Sequence, residues 1–220
     1  MGLFDGARLV AVDTETTGFD PGPPEADDPD PGRRDRIVEV ACVPIDDGRI
    51  GPPWSSLVDP GRPIPFGAEQ VHGITNEMVR GQPRAAEIAA TLEARCAGRI
   101  LVLHNAAFDV PFLRKDFRLP LFEGLLEEID LPLFGPRLVD TLGLARGLFG
   151  VGGNGLGDLA QRLGVPPGTA HRAAGDALTA ARLLLALGER WERDKGVRTL
   201  DELAAESRRG LLLTGRRPRG

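Results

Sequence analysis

The stretch "LVAVDTETTG", residues 9–18, constrains the fold more than any other. Leu9 to Val12 read as a buried β-strand, and Asp13 and Glu15 then follow with one residue between them. Alternate residues of a strand face the same side. Two carboxylates therefore stand side by side on one face of a strand that runs into a core. Unpaired charge in such a place is costly. Something must compensate them, and its identity bears on what the chain does.

The rest of the pattern alternates strands with helices. "RIVEVACVPID" (36–46) reads as a second strand, and "RIGPPWSSLVD" (49–59) as a third broken by prolines. The segment 19–35, "FDPGPPEADDPDPGRRD", has the Pro, Gly and Asp content of a solvated loop. A helix is expected over 83–98, ended by Gly98, then a buried strand over 99–105, "RILVLHN". A helix over 107–119 follows, with Pro111 placed in its first turn, where proline is tolerated. Residues 122–136 form a connector, and 137–149 pass from a short strand into a helix. Helices are expected over 155–165 and 173–196, with a last one at "RTLDELAAESRRG", capped by Thr199 with Glu202 three residues on. The pattern is that of an α/β domain around a mixed sheet. The division expected is a main domain over 1–196 and a C-terminal helix with an Arg-rich tail over 197–220.

Composition excludes little. With 41% hydrophobic and 27% charged residues, 220 residues can bury a core without disulfides. Cys42 and Cys96 lack metal-ligand spacing and suit a reducing compartment. The opening "MGLFDGARLV" lacks signal-peptide character, Gly6 defeats a myristoylation reading, and no apolar stretch is long enough to span a bilayer. The expectation is a cytoplasmic protein with no membrane partner. Net charge is −5, but "SRRGLLLTGRRPRG" holds five arginines and no acid, leaving −10 on the remainder. Overall charge therefore does not decide for or against a nucleic-acid partner, and local constellations must.

Two further stretches offer companions for Asp13 and Glu15. "HNAAFD" puts Asp109 in the first turn of the helix after strand 99–105, and "HRAAGDA" puts His171 and Asp176 at the entrance to the long helix. Functional groups in open α/β sheets gather at strand ends and helix starts. Four carboxylates cannot share a small volume without cations. Oxygen-only ligands suit Mg²⁺ or Mn²⁺, and two such ions ~3.5–4 Å apart can clamp the attacking and leaving oxygens of a phosphodiester displacement. An imidazole of ordinary pKa ~6.5 can take a proton from the attacking water.

"VDTETTG", "HNAAFD" and "HRAAGDA" resemble, in order, the three motifs of the DEDDh 3′–5′ exonucleases, the DnaQ-like group of proofreading subunits and RNA trimmers. "RIVEVACVPID", "VHGIT", "VDTLGLAR" and "LGDLAQRLGV" extend the resemblance over roughly residues 7–190. It implies a ribonuclease-H-like fold with a mixed five-stranded sheet flanked by helices. It implies that Asp13, Glu15, Asp109 and Asp176 hold two divalent cations, Mg²⁺ or Mn²⁺, and that His171 is the general base. Thr16, His72 and Phe108 correspond to positions along the terminal nucleotide. The implied substrate is a nucleic-acid 3′ end, single-stranded DNA before RNA, with release of 5′-mononucleotides, and a DNA polymerase is a possible partner in trans. The 19–35 loop and the 122–136 connector are longer than is usual in that family.

Blander readings stand beside these. Asp13 and Glu15 could pair with Arg8 or Arg36, and Asp109 and Asp176 could be acids favoured by helix dipoles. His72 could bond its own turn, and Asn105 could fix the strand-to-helix turn. "GVGGNG" (150–155) fits a dinucleotide fingerprint, but a helix-like stretch precedes it where a strand is required. The competing functions are an RNA-trimming exoribonuclease and a non-catalytic subunit that grips nucleic acid or a polymerase.

Overall fold

Strand β1 (Arg8–Thr16) is the hub of the sheet in the computed structural model, which describes residues 2–22, 33–123, 125 and 137–213. On one side β1 pairs antiparallel with β2 (Ile37–Asp46), from Arg8 opposite Asp46 to Thr16 opposite Ile37, with a bulge between Glu15 and Thr16. On its other side lie two parallel strands, β5 (Ile100–Leu103) and then β6 (Leu138–Asp140). Two short strands, β3 (Arg49–Ile50) and β4 (Trp54–Leu57), pair with opposite ends of β2. They are pieces of one edge strand. Pro52 and Pro53 lack the N–H that a ladder needs and interrupt it. Six segments thus fill the five positions expected of the sheet.

Strand alternation divides the core in two. Leu9 and Ala11 of β1 with Ala41, Val43 and Ile45 of β2 face one way, and Val10, Val12, Val40 and Cys42 face the other. The first face is covered by α5 (Thr141–Phe149), α6 (Leu156–Leu163), the long α7 (Ala173–Lys195) and α8 (Leu200–Leu212). The second is covered by α3 (Ala85–Cys96) and α4 (Ala106–Phe117). Cys42 and Cys96 are free and buried there, their sulfurs 3.9 Å apart. Asp13 and Glu15 continue the Leu9–Ala11 face, so they point to the α7 side. Two short helices not read from the sequence, α1 (Phe66–His72) and α2 (Asn76–Val79), enclose a small separate cluster of Val38, Ile64, Ile74 and Val79.

Helix α4 begins at Ala106, which puts Pro111 in its second turn, one turn deeper than the sequence reading placed it. The start is set by Asp140, whose carboxylate accepts from the amides of Asn105 (3.1 Å) and Ala106 (2.7 Å). Helix α8 carries the expected Thr199–Glu202 capping box. It crosses α5 at close range: a methyl on Gly143 would lie 2.1 Å from the Ser207 carbonyl oxygen. The Ser207 hydroxyl accepts from the Asp140 amide (2.7 Å) and donates to the Asp140 carbonyl (2.9 Å), tying α8 to the end of β6. The Gly-rich stretch 150–155 joins α5 to α6 and follows no strand, which disposes of the dinucleotide reading. Residues 23–32 of the 19–35 loop, most of the 122–136 connector and residues 214–220 of the Arg-rich tail lie outside the described residues. No helix among the described residues is long and apolar enough to cross a membrane.

The α5–α8 crossing generates a paired prediction. Gly143→Ala is expected to lower stability by about 1–3 kcal/mol through overpacking. Gly157→Ala, whose methyl meets nothing within 4 Å, is expected to raise it by about 0.4–1 kcal/mol. Thermal unfolding beside the wild type checks both signs, at roughly 2–4 °C per kcal/mol for a chain of this size.

Candidate active site

The first turn of α7 brings Asp176 against the acid-bearing end of β1. Carboxylate oxygens of Asp13, Glu15 and Asp176 lie within 4.8 Å of one another, the one such group of three among the described residues. The fourth acid, Asp109, sits buried in the first turn of α4. Its Oδ1 accepts from the Thr14 amide (3.1 Å) and the Thr14 hydroxyl (2.7 Å), which locks α4 to β1 beside the other three. The bland partners are committed elsewhere. Arg36 pairs with Asp116 at 2.8 Å, and Arg8 stands at the far end of β1 opposite Asp46.

Burial and mutual repulsion push these carboxyls upward. Asp13 stands well above its ordinary range, through burial first and then the charges of Asp109, Asp176 and Glu15. Glu15 is raised to about 8 by burial and by Asp176 and Glu39, with Arg172 opposing. Asp109 is raised to about 7 by burial although the Thr14 bonds pull it down. Asp176 is raised by burial against a hydrogen bond from the His171 amide. An all-oxygen donor set whose members repel one another fits hard divalent cations such as Mg²⁺ or Mn²⁺.

His171 lies just outside α7, exposed, in the left-handed region at φ 55°. Its amide donates to Asp176 Oδ2 at 3.1 Å. Between His171 and α7, Arg172 turns inward to Glu39 on β2, at 2.8 and 3.0 Å. Thr16 is buried just past the bulge, and its hydroxyl donates to the Gly18 carbonyl at 2.6 Å. His72 is only 5% exposed, and its Nδ1 accepts from the Ile74 amide at 3.0 Å. Burial lowers its pKa, which favours the neutral ring, and its Nε2 meets no hydrogen-bond partner among the described residues. Phe108 is half-buried, with its ring centroid 5.4 Å from Phe112 and 6.1 Å from Phe19, which meets it edge to face. Asn105 holds the strand-to-helix turn in the left-handed conformation, φ 72°.

Sequence reasoning missed Glu39, Arg172, Asp140, Thr14 and Phe19. Glu39 carried a usable signal: in "RIVEVACV" it alternates in phase with Ala41 and Val43, an acid on a core-facing register. Asp140 ended a strand directly before a helix, where an acid caps.

Comparisons with known proteins agree with this geometry. The RNase_T exonuclease family matches residues 10–184. A DNA polymerase III subunit epsilon-like protein of Rhodobacter capsulatus is 38% identical over 84% of this chain and 24% of its own length. The PolC-type DNA polymerase III of Thermotoga petrophila is 31% identical over 91% of this chain and 13% of its own. The chain thus spans a quarter or less of these curated relatives. Among solved structures, exonuclease X in complex with 5′-overhanging duplex DNA superposes with a TM-score of 0.63 at 28% identity, covering 91% of this chain and 99% of that one. That match gives the mixed sheet its class, the ribonuclease-H-like fold.

The raised carboxyls fix the sign of a pH effect. Above about pH 4 the unfolded chain has released protons that the folded cluster still binds, so stability present at low pH is lost as pH rises through the folded values, about 7 for Asp109 and about 8 for Glu15. In EDTA, the Tm is expected to fall between pH 5 and pH 8. Glu15→Gln should flatten that fall, and excess Mn²⁺ at pH 8 should reverse it by mass action. A metal-free Tm that climbs across the window contradicts the crowding of charge.

Proposed function

The chain belongs to the exonuclease family, of the DEDDh, DnaQ-like type, and from that premise we propose that it removes 5′-mononucleotides from the 3′ end of single-stranded DNA. The observation that carries this reading is the convergence of Asp13, Glu15 and Asp176 within 4.8 Å, with Asp109 held alongside by Thr14. In this reading Asp13, Glu15, Asp109 and Asp176 hold two divalent cations, Mg²⁺ or Mn²⁺. Such ions supply activation of the attacking water and stabilisation of the departing oxygen.

The side chains then have separate tasks. His171 takes the proton from the attacking water, which its exposed place at the entrance to α7 leaves it free to do. Water oxygen bonds to the phosphorus of the terminal nucleotide, and the bond to the 3′ oxygen of the preceding nucleotide breaks. That oxygen takes a proton, leaving a 3′ hydroxyl on the shortened strand and a 5′-monophosphate on the released nucleotide. Thr16 offers its backbone to the terminal nucleotide, and His72 lies along that nucleotide's pocket. Phe108 borders the nucleotide and carries Phe19, an aromatic ring that is 86% exposed. An exposed ring propped on a second one is a stacking platform for an unpaired base.

DNA is favoured over RNA by the named relatives and by the DNA bound to exonuclease X. Those relatives, a DNA polymerase III epsilon-like subunit and a PolC-type polymerase, also favour a polymerase as partner.

Incubating the protein with 5′-labelled single-stranded DNA or RNA, in Mn²⁺ and in EDTA, tests the proposal. A metal-dependent ladder shortening from the 3′ end is expected, faster on DNA and abolished in Asp13→Ala. His171→Ala should lose about 10²–10⁴ in kcat. Phe19→Ala should weaken binding by about 1–3 kcal/mol, read in KM. RNA cleaved faster than DNA would reassign the substrate, and wild-type rates in Asp13→Ala would end the mechanism.

A further inference from the structure

We propose that Glu39 and Arg172 form a positioning pair for the exonuclease site, fixing the start of α7 so that Asp176 meets Asp13 and Glu15. The inference rests on the exonuclease reading above. Glu39 lies directly opposite Glu15 in the β1–β2 register, on the face turned to α7, and is 2% exposed. Its Oε1 accepts from Arg172 Nη2 at 2.8 Å, and its Oε2 accepts from Arg172 Nε at 3.0 Å and from the Ala173 amide at 3.0 Å. One carboxylate thus holds both the residue that precedes α7 and the first amide of the helix.

Local chemistry does not explain this arrangement. Residues that precede a helix are usually small acceptors such as Ser, Thr, Asp or Asn. Arg172 accepts nothing, and a cation at a helix start opposes the helix dipole. Glu39 supplies the missing acceptor from another strand. It also adds a negative charge beside a cluster already crowded with them, where it raises Asp13, Glu15 and Asp176 alike. What the pair provides is geometry. A planar guanidinium gripped at two nitrogens has a fixed orientation. The Arg172 carbonyl accepts the Gly175 amide (2.8 Å) and the Asp176 amide (3.0 Å), the first helical bonds of α7. The grip is therefore one turn away from the Asp176 carboxylate. Glu39 takes the Nε–Nη2 edge of the Arg172 guanidinium.

Position and charge make opposite predictions for Arg172→Ala. Loss of a cation beside the cluster would tighten divalent-metal binding if charge were its contribution. Loss of position weakens it. Two readouts on the full chain separate these: Mn²⁺-dependent thermal stabilisation, and kcat with KM on single-stranded DNA. Arg172→Ala is expected to bind Mn²⁺ about tenfold more weakly and to lose about 10- to 100-fold in kcat, with KM within about threefold. Millimolar guanidinium should restore part of both. Arg172→Lys keeps the charge without the fork and should remain at least about tenfold slow. Tighter Mn²⁺ binding in Arg172→Ala, wild-type kcat in Arg172→Lys, or a rise confined to KM would each overturn the proposal. If Arg172→Ala fails to fold, Arg172→Lys carries the test. A wild type without turnover would sink the exonuclease reading, while the Mn²⁺ titration would still report whether Asp176 is held in place.

Discussion

Carboxylates brought within 4.8 Å of one another repel, as Asp13, Glu15 and Asp176 do, and the Arg172 charge near Glu15 offsets that repulsion only in part. The rest of the structure answers this constraint. Two of the acids share β1, whose nine residues are all matched against β2. On its other side β1 is paired only at Leu9–Ala11, so at Asp13 and Glu15 the ladder to β2 alone holds the two side chains on one face. The repulsion is stored as raised affinity for protons at low pH and for cations at neutral pH. A folded chain that is strained without its ligand and relaxed with it is what a metal-dependent site requires.

A second set of acids does the holding. Asp140 accepts from the amides that open α4 and α5, Asp116 accepts from the Ile37 amide that opens β2, and Glu39 accepts from the amide that opens α7. Each of these carboxylates belongs to one element and pins the start of another. Two of them also carry an arginine: Arg36 for Asp116 and Arg172 for Glu39. The chain therefore separates its buried acids by task. Those bonded to backbone amides are neutralised by dipoles and guanidinium groups and fix the frame. Among the described residues Asp13 and Glu15 have no such partner, and Asp176 has the His171 amide on Oδ2, which leaves the other lone pairs for a metal. Asp109 stands between the two sets, since Thr14 takes one of its oxygens and leaves the other.

Most of this frame was legible because its chemistry is written locally. Continuous apolar runs give β1 and β5, the patterned run 36–46 gives β2, and the capping box gives α8. The order of three acidic motifs gives Asp13, Glu15, Asp109 and Asp176. The split edge strand followed from Pro52 and Pro53. What escaped depends on contacts between distant residues. Glu39 and Arg172 are 133 positions apart, and nothing near either one announces the other. Phe19 reads as a lone loop aromatic until Phe108 is found beneath it. Helices α1 and α2 are too short to show a 3.6-residue period, so their region carried no pattern. His72 was balanced between a turn bond and a substrate contact. The turn bond to Ile74 is present.

His171 shows how these constraints meet. A non-glycine residue at φ 55° persists only where its surroundings over-determine it. Here they do so from both sides. Downstream, Glu39 grips Arg172 and the Ala173 amide. Upstream, the loop is packed so closely on α7 that a methyl on Gly175 would lie 2.0 Å from the Thr169 carbonyl oxygen. The Thr179 hydroxyl bonds that loop to the helix through the Gly168 amide (2.9 Å) and the Gly175 carbonyl (2.8 Å). Between these anchors the His171 amide is directed at Asp176, while its side chain remains exposed. In the proposed reaction, a base that must reach a bound water and then hand its proton to solvent needs a fixed root and an accessible imidazole, and the backbone at residue 171 offers both.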